Sequence, residues 1–140
     1  MQTLDPIGQH KLFREGPLLI FENHGNFSLE DAEKATVLYS AIIKEESFLH
    51  LLVDNTDSVE IDGRTRKHLA NWGKAHFGQI ALAIVGGNIA FRTTFTLIIN
   101  AIRLLSSMPL RVRLCADRQE ALAWLAVQKR HTSSPTIVNR

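Results

Sequence analysis

Cysteine is almost missing from this chain: the single Cys115 excludes an internal disulfide, so packing must hold the fold together. Cys115 ends the apolar run Leu110 to Cys115, where a buried thiol in a reducing compartment is expected. An excess of charge of one sign is missing too. Sixteen Lys and Arg against 14 Asp and Glu leave a net charge of +2 and a pI near 8.9. That is too little to draw the chain to nucleic acid or to an anionic membrane surface. Aromatics are 7% of the residues, and Trp72 alone does not supply the stacking surface that single strands use, so no nucleic-acid partner is expected. No secretory leader is legible, because Met1 to Gly16 is polar and mixed. The most apolar stretch, Ile80 to Leu105, is broken by Gly86-Gly87-Asn88, Arg92, Asn100 and Arg103, all costly in hydrocarbon. A cytoplasmic chain without a transmembrane segment is the expectation.

What is present is the material of one core. A chain of 140 residues that is 45% hydrophobic and 21% charged has the size and balance of a single globular domain. His10 to Arg14 and Leu18 to His24 are short extended runs joined by Glu15-Gly16-Pro17, which predicts an N-terminal hairpin. Ser28 precedes Leu29, Ala32, Ala35, Tyr39, Ile42 and Ile43 at helical spacing, with Glu30 and Asp31 favouring the dipole, which predicts a first helix over 29–46. The runs 48–53 and 79–85 are mainly apolar, as in strands covered on both faces, and 110–115 predicts the last strand. Helices are predicted between and after them, over 64–77, 89–107 and 118–130. Asp117 and Glu120 have the spacing of a capping-box variant for the last. Residues 1–9 and the polar stretch 131–140 (HTSSPTIVNR) read as flexible ends of a domain spanning 10–130. The order β-β-α-β-α-β-α-β-α implies an α/β, sandwich-like domain: a mainly parallel sheet, an N-terminal antiparallel hairpin, and four helices shared between its faces.

In open α/β sheets ligands collect beyond the carboxyl ends of the parallel strands, where chain direction diverges, which selects a binding rim of Asp54, Asp57, Asp62, Gly63, Gly86, Gly87 and Asn88, with His24 beside it. The three aspartates would serve as ligands of a hard cation or as a phosphoacceptor site. However, the loop lacks the Asp-x-Asp-x-Asp-Gly spacing and terminal Glu of a calcium loop, and turn chemistry and capping explain the same residues. Asp62 is placed to cap the second helix. A hydrolase or phosphoryl-transfer enzyme would rest on Asp54, Asp57 and His24, but no Gly-x-Ser-x-Gly elbow accompanies them. No catalytic residue, metal or cofactor is expected. Gly86-Gly87-Asn88 before a helix would let a phosphate, carboxylate or partner backbone approach, or would simply make a tight turn. Arg64, Arg66, Lys67, His68 and Lys74 give the second helix a basic side that a partner or solvent would meet equally well. The third helix carries more apolar residues than one sheet covers. Phe91, Phe95, Ile98, Ile99 and Ile102 would face the core, a second subunit in a homodimer, or an apolar ligand such as a lipid.

The order of elements resembles the STAS domains, the anti-sigma-factor antagonist fold, and among them the SpoIIAA-like branch. The residues that carry the likeness are Leu51-Leu-Val-Asp54, Val59-Glu-Ile-Asp62-Gly63, and Ala81 to Val85 before a long helix. The resemblance covers approximately 10–130. It implies a non-enzymatic, regulatory module of bacterial type that binds a protein partner or a small ligand, and in many members is switched by phosphorylation of a Ser or Thr directly after an Asp. Asp62 matches that motif, but Gly63 has no hydroxyl. Thr65 or Ser58 would be acceptors only in a shifted alignment. The branch is also similar to the lipid-carrying Sec14 fold, which gives the apolar third helix a use.

Overall fold

The computed structural model describes the backbone of residues 1–105 and 111–138, and the side chains of all these except 58, 59, 77, 91, 98, 101, 102, 105 and 129–138. In chain order the elements are β1 (Gln2–Thr3), β2 (Lys11–Glu15), β3 (Leu18–Asn26), α1 (Leu29–Glu46), β4 (Leu49–Glu60), α2 (Gly63–His76), a 3-10 turn (Phe77–Gln79), β5 (Ile80–Gly86), α3 (Ile89–Leu105), β6 (Arg111–Cys115) and α4 (Arg118–Val138). The strands form one six-stranded sheet in the sequential order 1-2-3-4-5-6. β1, β2 and β3 pair antiparallel, and β3 to β6 pair parallel. This is the expected α/β architecture, with one more short strand at the antiparallel edge.

Sequential order decides where the helices lie. Right-handed crossovers repeated in one direction across a sheet put α1, α2 and α3 on one face, while α4, which leads to no further strand, folds onto the other. Side-chain alternation matches this placement. Leu19, Phe21, Leu49, Leu51 and Ile80 pack with Ala35, Tyr39 and Ile42 of α1. Their neighbours Ile20, Leu52, Ala81, Ala83 and Val85 pack with Cys115 and with Ala121 and Leu125 of α4. Because both faces are covered, the strands read as continuous apolar runs. At the start of α1, the Ser28 hydroxyl accepts from the Asp31 amide at 3.1 Å and the Asp31 carboxylate accepts from the Ser28 amide at 3.2 Å. That capping box contributes about 1 kcal/mol.

Four expectations change. Residues 1–9, read as flexible, carry β1 and a buried Ile7; His10, fully buried, accepts from the His24 amide at Nδ1 (3.0 Å) and contacts Asp31 at Nε2 (3.1 Å), tying this segment to β3 and α1. β4 does not end at residue 53 but runs to Glu60, because Asp54, Asp57 and Glu60 find register partners in Glu22, His24 and Asn26 of β3. The helix predicted to stop at 130 continues to Val138, although 131–138 (HTSSPTIV) is made of weak helix formers and a proline; 139–140 lie outside the described residues. Finally, the strand order never reverses, so the sheet has no topological switch point, the feature on which the selection of a strand-end rim rested. The predicted boundary between the third helix and the last strand falls on 106–110, outside the described residues. No helix among the described residues is long and apolar enough to cross a membrane.

Candidate functional site

Two polar groupings sit where β3 and β4 leave the core, one on each face of the sheet. On the α4 face, alternation from Ile20 and Leu52 brings Glu22 and Asp54 side by side in register. Arg118 of α4 reaches both: its Nε donates to Asp54 Oδ2 at 2.7 Å and its Nη2 donates to Glu22. Asp54 Oδ1 accepts from the Thr56 amide at 2.9 Å and the Thr56 hydroxyl at 2.6 Å, so both oxygens are engaged. Burial pushes the Asp54 and Glu22 carboxyls up, but bonds outweigh it: Thr56 and Arg118 hold Asp54 below its ordinary value, and His24 and Arg118 do the same for Glu22. β4 carries an extra residue between Asp54 and Asp57, a bulge that turns Asp57 toward His24. His24 then bridges two carboxylates, Asp57 from Nδ1 and Glu22 from Nε2, each at 2.8 Å. The hydrogen bond to Asp57, followed by that to Glu22, raises the pKa of His24.

On the opposite face, Asn23 and Asn55 take the positions following Phe21 and Val53. The Asn23 Nδ2 donates to Asn55 Oδ1 at 2.5 Å. Both side chains are buried, 5% and 0% exposed, and Asn23 Oδ1 and Asn55 Nδ2 have no partner among the described residues. Each such atom costs about 1–3 kcal/mol. Both residues belong to the wall of a cavity of about 120 Å³ between the sheet and α1, α2 and α3. The rest of that wall is almost all carbon. Phe21, Phe27, Tyr39 and Trp72 line one side as a chain of edge-to-face aromatic pairs, and Phe95 and Ile99 of α3 belong to the same wall. Arg66 is its one charged side chain among the described residues, and it donates to the Ile61 carbonyl at 2.9 Å.

The predicted site residues therefore separate. Asp54 and Asp57 join the Arg118 and His24 cluster. Asp62 stands apart as the cap of α2, accepting from the Thr65 amide at 2.9 Å and hydroxyl at 2.8 Å, bonds that lower its pKa. Gly63 opens α2 and is exposed. Thr65, weighed as a phosphoacceptor, is fully buried with its hydroxyl given to Asp62, and the Ser58 side chain lies outside the described residues. Gly86 is required sterically, since at φ +76° a Cβ would stand 2.8 Å from the Thr56 nitrogen. Gly87 follows at φ +90°, and Asn88 precedes α3, its carbonyl accepting from the Arg92 amide. Of the third-helix set, Phe95 and Ile99 reach the cavity; the side chains of Phe91, Ile98 and Ile102 lie outside the described residues. Among the described residues, no three or more His, Cys, Asp or Glu are placed to hold a metal ion.

Sequence reasoning missed Glu22, Asn23, Asn55 and Arg118. One signal was available: Arg118 is a cation in the first turn of a helix, where the dipole favours anions, and such a conflict points to carboxylates nearby.

No family model matches the chain, and no curated protein matches it. Solved structures do. An uncharacterized DUF3478-family protein with a SpoIIAA-like fold from Shewanella loihica PV-4 matches with a TM-score of 0.60 and 20% identity, over 83% of this chain and 91% of the other. The anti-sigma factor antagonist SpoIIAA in its unphosphorylated form matches with a TM-score of 0.59 and 10% identity, over 84% of this chain and 97% of the other. The chain has the SpoIIAA-like fold.

Proposed function

We propose that this protein is a non-catalytic binding module of SpoIIAA-like type whose site is the cavity between the sheet and α1 to α3, and whose ligand is a small, mainly apolar molecule or one end of a longer one. The cavity itself carries the reading: at about 120 Å³ it approaches the volume, about 150 Å³, of an engineered cavity that stays dry and takes up benzene. The polar cluster of the other face supports a binding role over a catalytic one. Both His24 ring nitrogens are held by carboxylates and both Asp54 oxygens are bonded, so two of the side chains that could act as a base are already engaged. Titrating toluene into the purified protein, followed by NMR, tests the reading. Uptake at the resonances of Tyr39, Trp72 and Ile99 is expected, and Leu82→Phe, which narrows the cavity, is expected to abolish it. Unmoved resonances at saturating toluene would remove the cavity from consideration.

Self-association or partner binding through α3 is a second reading, supported by Ile89, Leu97 and Leu104, which are 84%, 64% and 87% exposed. Light scattering is expected to report a dimer that Leu97→Asp dissociates; a monomer at high concentration speaks against the homodimer.

A further inference from the structure

We propose that Asn23 and Asn55 read the head of the cavity's ligand, and that this head is a neutral carboxamide, a primary amide or a lactam. This deepens the cavity reading and rests on it. The bond between the two side chains uses one donor and one acceptor, leaving Asn23 Oδ1 and Asn55 Nδ2, on two residues of the cavity wall, without a partner among the described residues. Exchanging the oxygen and nitrogen positions of both amides returns the same result, one free acceptor beside one free donor. A ligand that satisfies both must donate and accept at neighbouring atoms. Hydrocarbons do neither, ketones and esters donate nothing, a carboxylate has no proton for the acceptor, and a hydroxyl must donate and accept through one atom where two are called for. An undissociated acid would match but is scarce at neutral pH. An amide matches without changing its charge. The charged member of the wall, Arg66, has one arm committed to the Ile61 carbonyl, and the remaining carbon surface calls for an apolar body on that head. Asparagine at these positions carries this head-group chemistry into a mainly apolar pocket, whereas valine would occupy the same positions with no unpaired atom.

Calorimetric titration of the intact protein with benzamide, caprolactam, acetophenone, benzoate and toluene tests the proposal, acetophenone having nearly the shape of benzamide without its donor. Benzamide or caprolactam is expected to bind at least about tenfold more tightly than acetophenone and benzoate, and which of the two leads separates a primary amide from a lactam. In Asn23→Ala/Asn55→Ala, which keeps the cavity open, toluene binding is expected to persist while the amide preference disappears. Acetophenone or toluene binding as tightly as benzamide would overturn the head-group assignment and leave the cavity reading standing. Absence of binding by all five would overturn both, the two amides then being served by water alone. Should the double variant fail to fold, the comparison of probes on the unmodified protein decides by itself.

Discussion

Arg118 and Asp54 lie 64 residues apart in the chain and 2.7 Å apart in space, and the same guanidinium also holds Glu22, so one cation from α4 ties together the ends of two neighbouring parallel strands. Removing it leaves two carboxylates facing each other at the edge of the core. A fully buried charge stripped of its partner costs about 3–5 kcal/mol. The side chains of Arg118, Glu22 and Asp54 are 36%, 25% and 11% exposed, so solvent recovers part of that loss and Arg118→Met is expected to cost about 1–3 kcal/mol in urea unfolding. Arg118→Lys keeps the charge but not the two-armed grip, and should recover less than half. An Arg118→Met midpoint within error of the parent would show that the bridge contributes nothing.

The pH dependence follows from the same cluster. The folded pKa of His24 is raised above its ordinary 6.5, so its contribution to stability is complete below about pH 6.5 and fades as pH rises through the folded value. The folded pKa values of Asp54 and Glu22 are lowered below 3.8 and 4.5, so theirs is complete above those values and fades as pH falls through the folded ones. This cluster is therefore expected to stabilise most between about pH 4.5 and 6.5, and less at pH 8. His24→Asn should remove the loss between pH 6.5 and 8 that it causes, and NMR titration of His24 should return a pKa above 6.5 that falls in Asp57→Asn. A His24 value at or below 6.5 would contradict the bridging geometry.

Much of the architecture was legible because it is local. Ser28 and Asp31 specify the start of α1 within four residues, and Leu51 and Leu52 announce a strand covered on both faces because each meets a different helix layer. The acidic stretch after Val53 was not legible as a strand. Its partners in β3 lie about 30 residues earlier, and non-local pairing overrides the turn propensity of Asp and Asn. The N-terminal segment was misread for a similar reason: Ile7 and His10 are short, isolated signals whose meaning comes from β3 and α1. The cavity was half legible. The apolar excess of α3 marked it, and Phe95 and Ile99 reach it, but its polar wall is made by two asparagines that look like loop residues until the sheet sets them side by side.

That pair predicts an unusual mutational pattern. Asn55→Val leaves Asn23 with neither of its polar atoms partnered among the described residues, at a cost of about 1–3 kcal/mol, whereas the double substitution to Val removes every unpaired atom and places its added bulk against the cavity. The double variant is expected to be more stable than either single variant, and as stable as the parent or more so when no ligand is present. Chemical denaturation of the four proteins gives the full cycle. Additive losses from the two single substitutions would contradict the buried bond between them.

Gly86 and Gly16 separate two reasons for a glycine. Both have left-handed backbone, φ +76° and +57°, but a Cβ at Gly86 would meet the Thr56 backbone at 2.8 to 2.9 Å, whereas nothing lies within 4 Å of one at Gly16. Gly16→Ala should cost only the conformational strain, about 1 kcal/mol. Gly86→Ala adds overlap with backbone that cannot swing away, so a loss of more than about 2 kcal/mol is expected. The push falls on Thr56, whose amide and hydroxyl hold Asp54, and therefore reaches the Arg118 bridge without touching it. Gly86→Ala should accordingly lose less than the parent on adding Arg118→Met, because part of that bridge is already disturbed. Equal losses in the two backgrounds would show that the turn after β5 and the charged cluster act independently.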